Sequence, residues 1–119
     1  YGDGSQTRSF CFVSDLVEGL MALMACEDAP VQAYNLGNPG EFTVREVAQH
    51  IIETLGSKSE VAYLDLPVDD PRQRCPDISR AKADLNWAPK VSLADGLRMT
   101  VPYFAGQLQR PAARLLVAE

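Results

Sequence analysis

The run over residues 43–56 limits the fold of this chain most narrowly, because it carries both helix boundaries and a helical apolar face. Thr43 and Glu46 have the spacing of a capping box, in which two side chains bind backbone N–H groups reciprocally. Apolar residues then recur at three- and four-residue intervals until Gly56, a typical helix stop. They are Val44, Val47, Ala48, Ile51, Ile52 and Leu55. The sequence therefore predicts an amphipathic helix over residues 44–55.

The same signals predict three further helices. The first covers residues 15–26, with Ser14 or Asp15 as its N-cap. The second begins at Asp77 or Ser79 and ends near residues 86–89, and the third begins at Ser92. In the last helix Pro102 removes a backbone hydrogen bond, so we expect a kink or a break near residue 100. The tail at 109–119 has no strong pattern.

Short β-like runs at residues 7–13, 33–37 and 60–66 alternate with these helices. This alternation favours an α/β fold with short strands and about four helices. Three strands are too few for a well-covered parallel sheet, and the chain opens on a Gly-Asp-Gly turn. We therefore expect the partner strands to lie upstream, in a longer protein.

Composition excludes several classes of function. The net charge is −5 and no run is rich in lysine or arginine, which argues against nucleic-acid partners. No apolar run reaches the roughly 18–20 residues of a membrane span, and the first residues resemble no signal peptide, so a cytoplasmic protein is expected. Three cysteines without CxxC spacing and a single histidine offer too few ligands for zinc, and we expect free thiols.

A proline-bracketed loop at residues 69–77, called the arginine loop below, contains Arg72 and Arg74 among three aspartates. Guanidinium groups are forked donors that suit phosphate oxygens, so the loop could bind an anion. Alternatively, the two arginines could only neutralise Asp69, Asp70 and Asp77 on a solvated turn.

Other chemistry has weak support in the sequence. The turn at 37–43 has two glycines but lacks the third glycine of a dinucleotide fingerprint. No tyrosine is followed four residues later by lysine, and His50 is the only histidine available for a catalytic triad. A binding constellation of Gln6, Arg8 and Arg74 remains.

Three segments in order carry a family resemblance: YGDGSQTRSFCFVSDLVEGL, YNLGNPGEFT and DDPRQRCPDISRAKADLNWAPK. Together they resemble the C-terminal part of the extended short-chain dehydrogenase/reductase family that acts on nucleotide sugars, and within it the UDP-glucuronate decarboxylases. The resemblance implies that residues 1–108 form the C-terminal sugar-nucleotide-binding portion, with about 32–37 resembling a strand of a missing Rossmann sheet, and that 109–119 are a tail.

The resemblance also implies roles for individual residues. Gln6 and Arg8 look like ligands of the nucleotide and its phosphates, Thr7 presents backbone groups, and Arg74 looks like the second diphosphate clamp. Arg72 matches the clamp position less well and is given a supporting role. Asp77 is expected to cap a helix, and Trp87 with Pro89 to pack at a helix end. The chain departs from the family pattern at Cys11, Phe12 and Cys75.

By this resemblance, the longer protein would convert UDP-glucuronate to UDP-xylose and carbon dioxide through a 4-keto intermediate. NAD would bind to the missing N-terminal part, so no cofactor is expected on this chain, which should be inactive alone. A related 4-epimerase or 4,6-dehydratase is an alternative. Another is a non-catalytic binding or assembly module that forms homo-oligomers through exposed apolar faces.

Overall fold

The computed structural model describes residues 1–27 and 32–108, and the predicted tail at 109–119 lies outside them. The described part is a small α/β unit with a two-stranded sheet and four helices. In chain order the elements are β1 (Thr7–Ser9), α1 (Val13–Ala25), β2 (Glu41–Thr43), α2 (Val44–Leu55), α3 (Ser79–Leu85) and α4 (Leu93–Leu108). The predicted fold class and number of helices are confirmed.

The sheet is an antiparallel ribbon in which Thr7 pairs with Thr43, Arg8 with Phe42 and Ser9 with Glu41. The first predicted strand is shorter than expected, and β2 was not predicted. The strand predicted at 60–66 is wrong, because this run pairs with no described strand. Residues 33–37 also pair with no described strand, and their expected place in a Rossmann sheet that this chain lacks stays a prediction. An alternating pattern provides a suitable face for a strand, but a strand also needs a partner whose N–H and C=O groups it can bind.

The capping of α2 is as predicted. The Glu46 N–H donates to Thr43 Oγ1 at 3.1 Å, and the Thr43 N–H donates to Glu46 Oε2 at 2.7 Å. The bonds that Glu46 Oε2 accepts, first from the Thr43 N–H and then from the Thr43 hydroxyl, hold the pKa of Glu46 below its ordinary value. Gly56 ends the helix in the left-handed region at φ 58°, where glycine is favoured.

The capping predicted for α1 is wrong. Phe12 occupies the N-cap position without a side-chain cap bond, and Asp15 lies inside the helix with 2% of its surface exposed. Its Oδ2 accepts the N–H groups of Lys90 and Val91 at 3.0 and 2.9 Å. Asp15 therefore joins α1 to the segment before α4, which a purely local pattern does not reveal.

The core is small. Ile78, Ala81 and Trp87 are the buried apolar residues of its one described cluster, and Leu36 and Leu85 pack against it. The Trp87 indole N–H donates to the carbonyl of Asp15 at 2.9 Å, which confirms the predicted packing of this side chain. Large apolar side chains on α1 and α4 remain exposed, including Leu20, Met21, Met24, Phe104 and Leu108.

Of the kink or break predicted near residue 100, the break is wrong, because α4 continues through Pro102. The proline has no N–H to donate to the carbonyl of Arg98. Arg98 and Pro102 both lie on the exposed side of the helix, so water can bind that carbonyl. None of the helices in the described ranges has the length and apolar character needed to cross a membrane.

Candidate functional site

The arginine loop is hydrogen-bonded to the start of β1. The N–H of Thr7 donates to the carbonyl of Arg72 at 2.9 Å. The Arg8 guanidinium donates from Nη1 to the carbonyl of Thr7 at 2.7 Å and from Nη2 to the Asp70 carboxylate. The fold thus brings together the segment that carries Gln6 and Arg8 and the arginine loop, both of which the sequence predicted to bind a ligand.

The Arg8–Asp70 ion pair is half-buried, since the two side chains are 19% and 26% exposed. Partial burial makes such a pair stronger than a fully solvated one. Arginine has five N–H donors, and the contacts within the described residues use Nη1 and Nη2 once each. Arg8 is therefore fixed in direction while retaining donors for an additional anion.

Gln6 is 8% exposed, and its Nε2 donates to the carbonyl of Tyr1 at 3.0 Å. It lines a cavity of about 430 Å³ beside the arginine loop. The other lining residues are Gly2, Asp3, Ser5, Leu66, Asp70 and Arg72. Of the two arginines in the loop, Arg72 rather than Arg74 borders this cavity.

Arg74 is exposed and has no hydrogen bond or ion pair with the residues described. Neither Arg72 nor Arg74 neutralises an aspartate of the loop within that set. Asp70 pairs with Arg8 instead, and Asp77 accepts the N–H of Ser79 at 2.9 Å. The bonds from Ser79 hold the pKa of Asp77 below its ordinary value. Asp77 therefore binds the first residue of α3, but Ile78 occupies the N-cap position without a side-chain cap bond, so the predicted capping role of Asp77 is wrong.

Sequence reasoning missed Glu41 as a member of this site. Its Oε1 accepts the Thr7 hydroxyl at 2.6 Å, and its two carboxylate oxygens each accept from Gln73 Nε2 at 2.8 Å. The Thr7 hydroxyl, and then Gln73, hold the pKa of Glu41 below its ordinary value. In the β1–β2 register, Thr7 and Glu41 are diagonal neighbours on one face. Only the register, which the sequence does not specify, reveals the contact.

The two glycines of the 37–43 turn serve internal packing. A Cβ atom on Gly37 would lie 2.8 Å from Cγ of Pro76, and one on Gly40 would lie 3.1 Å from Oδ1 of Asn38. Other residues of this chain therefore occupy the space beside each glycine. The turn leaves no room there for the phosphate of a dinucleotide. In the portion with described placement, no group of His, Cys, Asp and Glu residues could hold a metal ion.

The chain matches the family model described as GDP-mannose 4,6 dehydratase over residues 1–100. It is 51% identical to UDP-glucuronic acid decarboxylase 1 of Arabidopsis thaliana, covering 91% of this chain and 24% of the relative. It is 48% identical to UDP-glucuronic acid decarboxylase 1 of Danio rerio, covering 94% of this chain and 26% of the relative. The chain thus spans about a quarter of the length of these relatives.

Solved structures show the same fold. The TM-score is 0.85, at 33% identity, with a UDP-glucose 4-epimerase from Thermotoga maritima that contains UDP-glucose, covering 92% of this chain and 35% of that one. It is 0.84, at 27% identity, with a UDP-glucuronic acid 4-epimerase from Bacillus cereus in complex with UDP-glucuronic acid and NAD, covering 90% of this chain and 34% of that one.

Proposed function

This chain belongs to the family described as GDP-mannose 4,6 dehydratase, within the extended short-chain dehydrogenases/reductases, and on that premise we propose that it is the sugar-nucleotide-binding part of a UDP-glucuronate decarboxylase. One observation carries the proposal: about half of the residues are identical to relatives of that name over nearly the whole chain. The geometry agrees with it, because the arginine loop lies against the strand that carries Gln6, Thr7 and Arg8.

In this proposal the ligand's diphosphate binds between Arg8 and Arg74. A diphosphate carries about two negative charges, and each charge-assisted hydrogen bond contributes about 1.5–3 kcal/mol when it is shielded from water. Arg8 is already held by Asp70, whereas Arg74 is exposed. Gln6 and the backbone of Thr7 border the nucleotide. Arg72 supports the loop through its carbonyl and faces the cavity beside Gln6.

The reaction of the whole protein would be conversion of UDP-glucuronate to UDP-xylose and carbon dioxide, in a cytoplasmic setting. NAD would supply hydride transfer at C4, and the 37–43 turn of this chain does not fit it, because both of its glycines pack against the chain itself. We assign it to a Rossmann domain outside the chain. The residues described here would hold and orient the UDP group, and the chain alone would be inactive.

A 4-epimerase is the second candidate, and the structural likeness to the Thermotoga maritima 4-epimerase favours it. Both enzymes would bind a UDP-sugar with the same residues, so affinity alone does not distinguish them. A binding or assembly module is the third candidate, and the exposed apolar side chains of α1 and α4 favour it.

The test is product analysis with the full-length protein, UDP-glucuronate and NAD. A decarboxylase yields UDP-xylose and one carbon dioxide per sugar, whereas a 4-epimerase yields UDP-galacturonate and no carbon dioxide. UDP binding without formation of either product would support the non-catalytic binding module. For a substitution of Arg74 in the same protein, Arg98→Ala provides a matched control, because Arg98 is an exposed residue of α4 that pairs with Asp95. Absence of UDP binding would contradict both the decarboxylase and the 4-epimerase, and would leave only an assembly module.

A further inference from the structure

We propose that Glu41 is a positioning residue that holds the arginine loop in its ligand-binding geometry. This inference rests on the proposed function, because it concerns how Arg74 is presented to a diphosphate. Glu41 lies in β2, outside the arginine loop, and its carboxylate would not itself attract an anion. Its contribution would come from the two polar side chains that it joins.

Glu41 links β1 to the arginine loop from the side opposite the Arg8–Asp70 pair. Since successive residues of a strand point to opposite faces, Thr7 and Arg8 lie on different faces of the ribbon. Glu41 binds the Thr7 hydroxyl on one face, and Arg8 binds Asp70 on the other. The loop is therefore held to the ribbon at Asp70 and, through Glu41, at Gln73.

The segment before β2 adds contacts to the same part of the loop. The Cys75 thiol donates to the carbonyl of Pro39 at 3.4 Å, and buried Gly37 packs against Pro76. Gln73, Cys75 and Pro76 thus all rest on residues 37–41, which we call the loop platform. Arg74 lies between two of these held residues, and its side chain is exposed.

This arrangement fixes the backbone of Arg74 while leaving its guanidinium accessible. Ordering a mobile loop on binding would reduce affinity, whereas a loop ordered beforehand avoids that loss. Removing the Glu41 carboxylate should therefore weaken ligand binding through Arg74, without removing any group that touches the ligand.

The experiment measures UDP affinity of the full-length protein by calorimetry in a double-mutant cycle. We expect Glu41→Ala to raise the Kd about three- to tenfold in the wild-type background and to have little effect in an Arg74→Ala background. Glu41→Gln retains a carbonyl that can accept both bonds and should restore part of the affinity. Glu60→Ala, which removes an exposed carboxylate without a contact in the described portion, should leave the Kd unchanged.

Gln73→Ala removes the other half of the contact and should reproduce the loss, so the test does not depend on the folding of one variant. Equal losses from Glu41→Ala with and without Arg74 would overturn the inference, as would an unchanged Kd in both Glu41→Ala and Gln73→Ala. A wild-type protein that does not bind UDP would instead refute the proposed function. The two failures are therefore distinguishable.

Discussion

Arg8 pairs through Nη2 with the carboxylate of Asp70, a residue 62 positions later in the chain. Beside this pair, the N–H of Thr7 binds the carbonyl of Arg72. The strand and the arginine loop therefore form one unit, and the fold itself brings together segments that are distant in sequence.

Asp70→Asn should destabilise this unit. The asparagine keeps one carbonyl acceptor but loses the charge that faces the half-buried Arg8, at a cost of about 1–2 kcal/mol. A lower urea midpoint for unfolding would be the readout. The neighbouring substitution Asp69→Asn is the control, because Asp69 is exposed and has no contact in the described residues. Equal midpoints for the two variants would argue against a stabilising pair.

Gly37→Ala should strain the contact between the loop platform and the arginine loop. The new methyl group would lie 2.8 Å from Cγ of Pro76, so one of the two segments must shift, at about 1–3 kcal/mol. Gly106→Ala is the matched control, since nothing lies within 4 Å of that position and alanine favours the helix. Thermal melting should show a lower Tm for Gly37→Ala alone; an unchanged Tm would mean that the contact is loose.

Asp15→Ala should destabilise the junction between α1 and the segment before α4. The N–H groups of Lys90 and Val91 would lose their acceptor, at about 1–3 kcal/mol for each donor that water does not reach. Ser14→Ala, at an exposed neighbouring position of the same helix, should be close to neutral. Urea denaturation of both variants compares them directly, and equal midpoints would contradict the buried role of Asp15.

Glu46 should make stability depend on pH. Folding lowers its pKa, chiefly through the bond from the Thr43 backbone, so the ionised carboxylate stabilises the folded state at neutral pH. This contribution is complete above the ordinary glutamate pKa of about 4.3 and is lost as pH falls through the lower folded-state value. The Tm difference between the wild type and Glu46→Gln should therefore shrink below about pH 4. A difference that is constant with pH would exclude this linkage.

Local signals were sufficient to predict the four helices. The ends of α2 follow from the capping box and Gly56, which act within a few residues of each other. The role of Asp15 could not be predicted in this way, because its partners lie 75 and 76 positions away. The strand predicted at 60–66 failed for a related reason, since a strand depends on a partner that its own pattern does not specify.

For the candidate site as well, local patterns could be predicted from the sequence, whereas contacts between distant residues could not. Residue chemistry and motif resemblance predicted Gln6, Thr7, Arg8 and Arg74 as ligand contacts, and the fold places the first three beside the arginine loop. Glu41 was missed because its role comes from the β1–β2 register and from Gln73, 32 positions away. The roles of all four residues in ligand binding remain predictions.

Calorimetric titration of the full-length protein with UDP, comparing Arg74→Ala with Arg72→Ala, tests the central claim most directly. If Arg74 is the second diphosphate clamp, its loss should cost about 2 kcal/mol, or about a 30-fold rise in Kd. Arg72→Ala should have a smaller effect, because Arg72 contacts β1 through its backbone carbonyl. An Arg74→Ala protein that binds UDP as tightly as the wild type would contradict the claim.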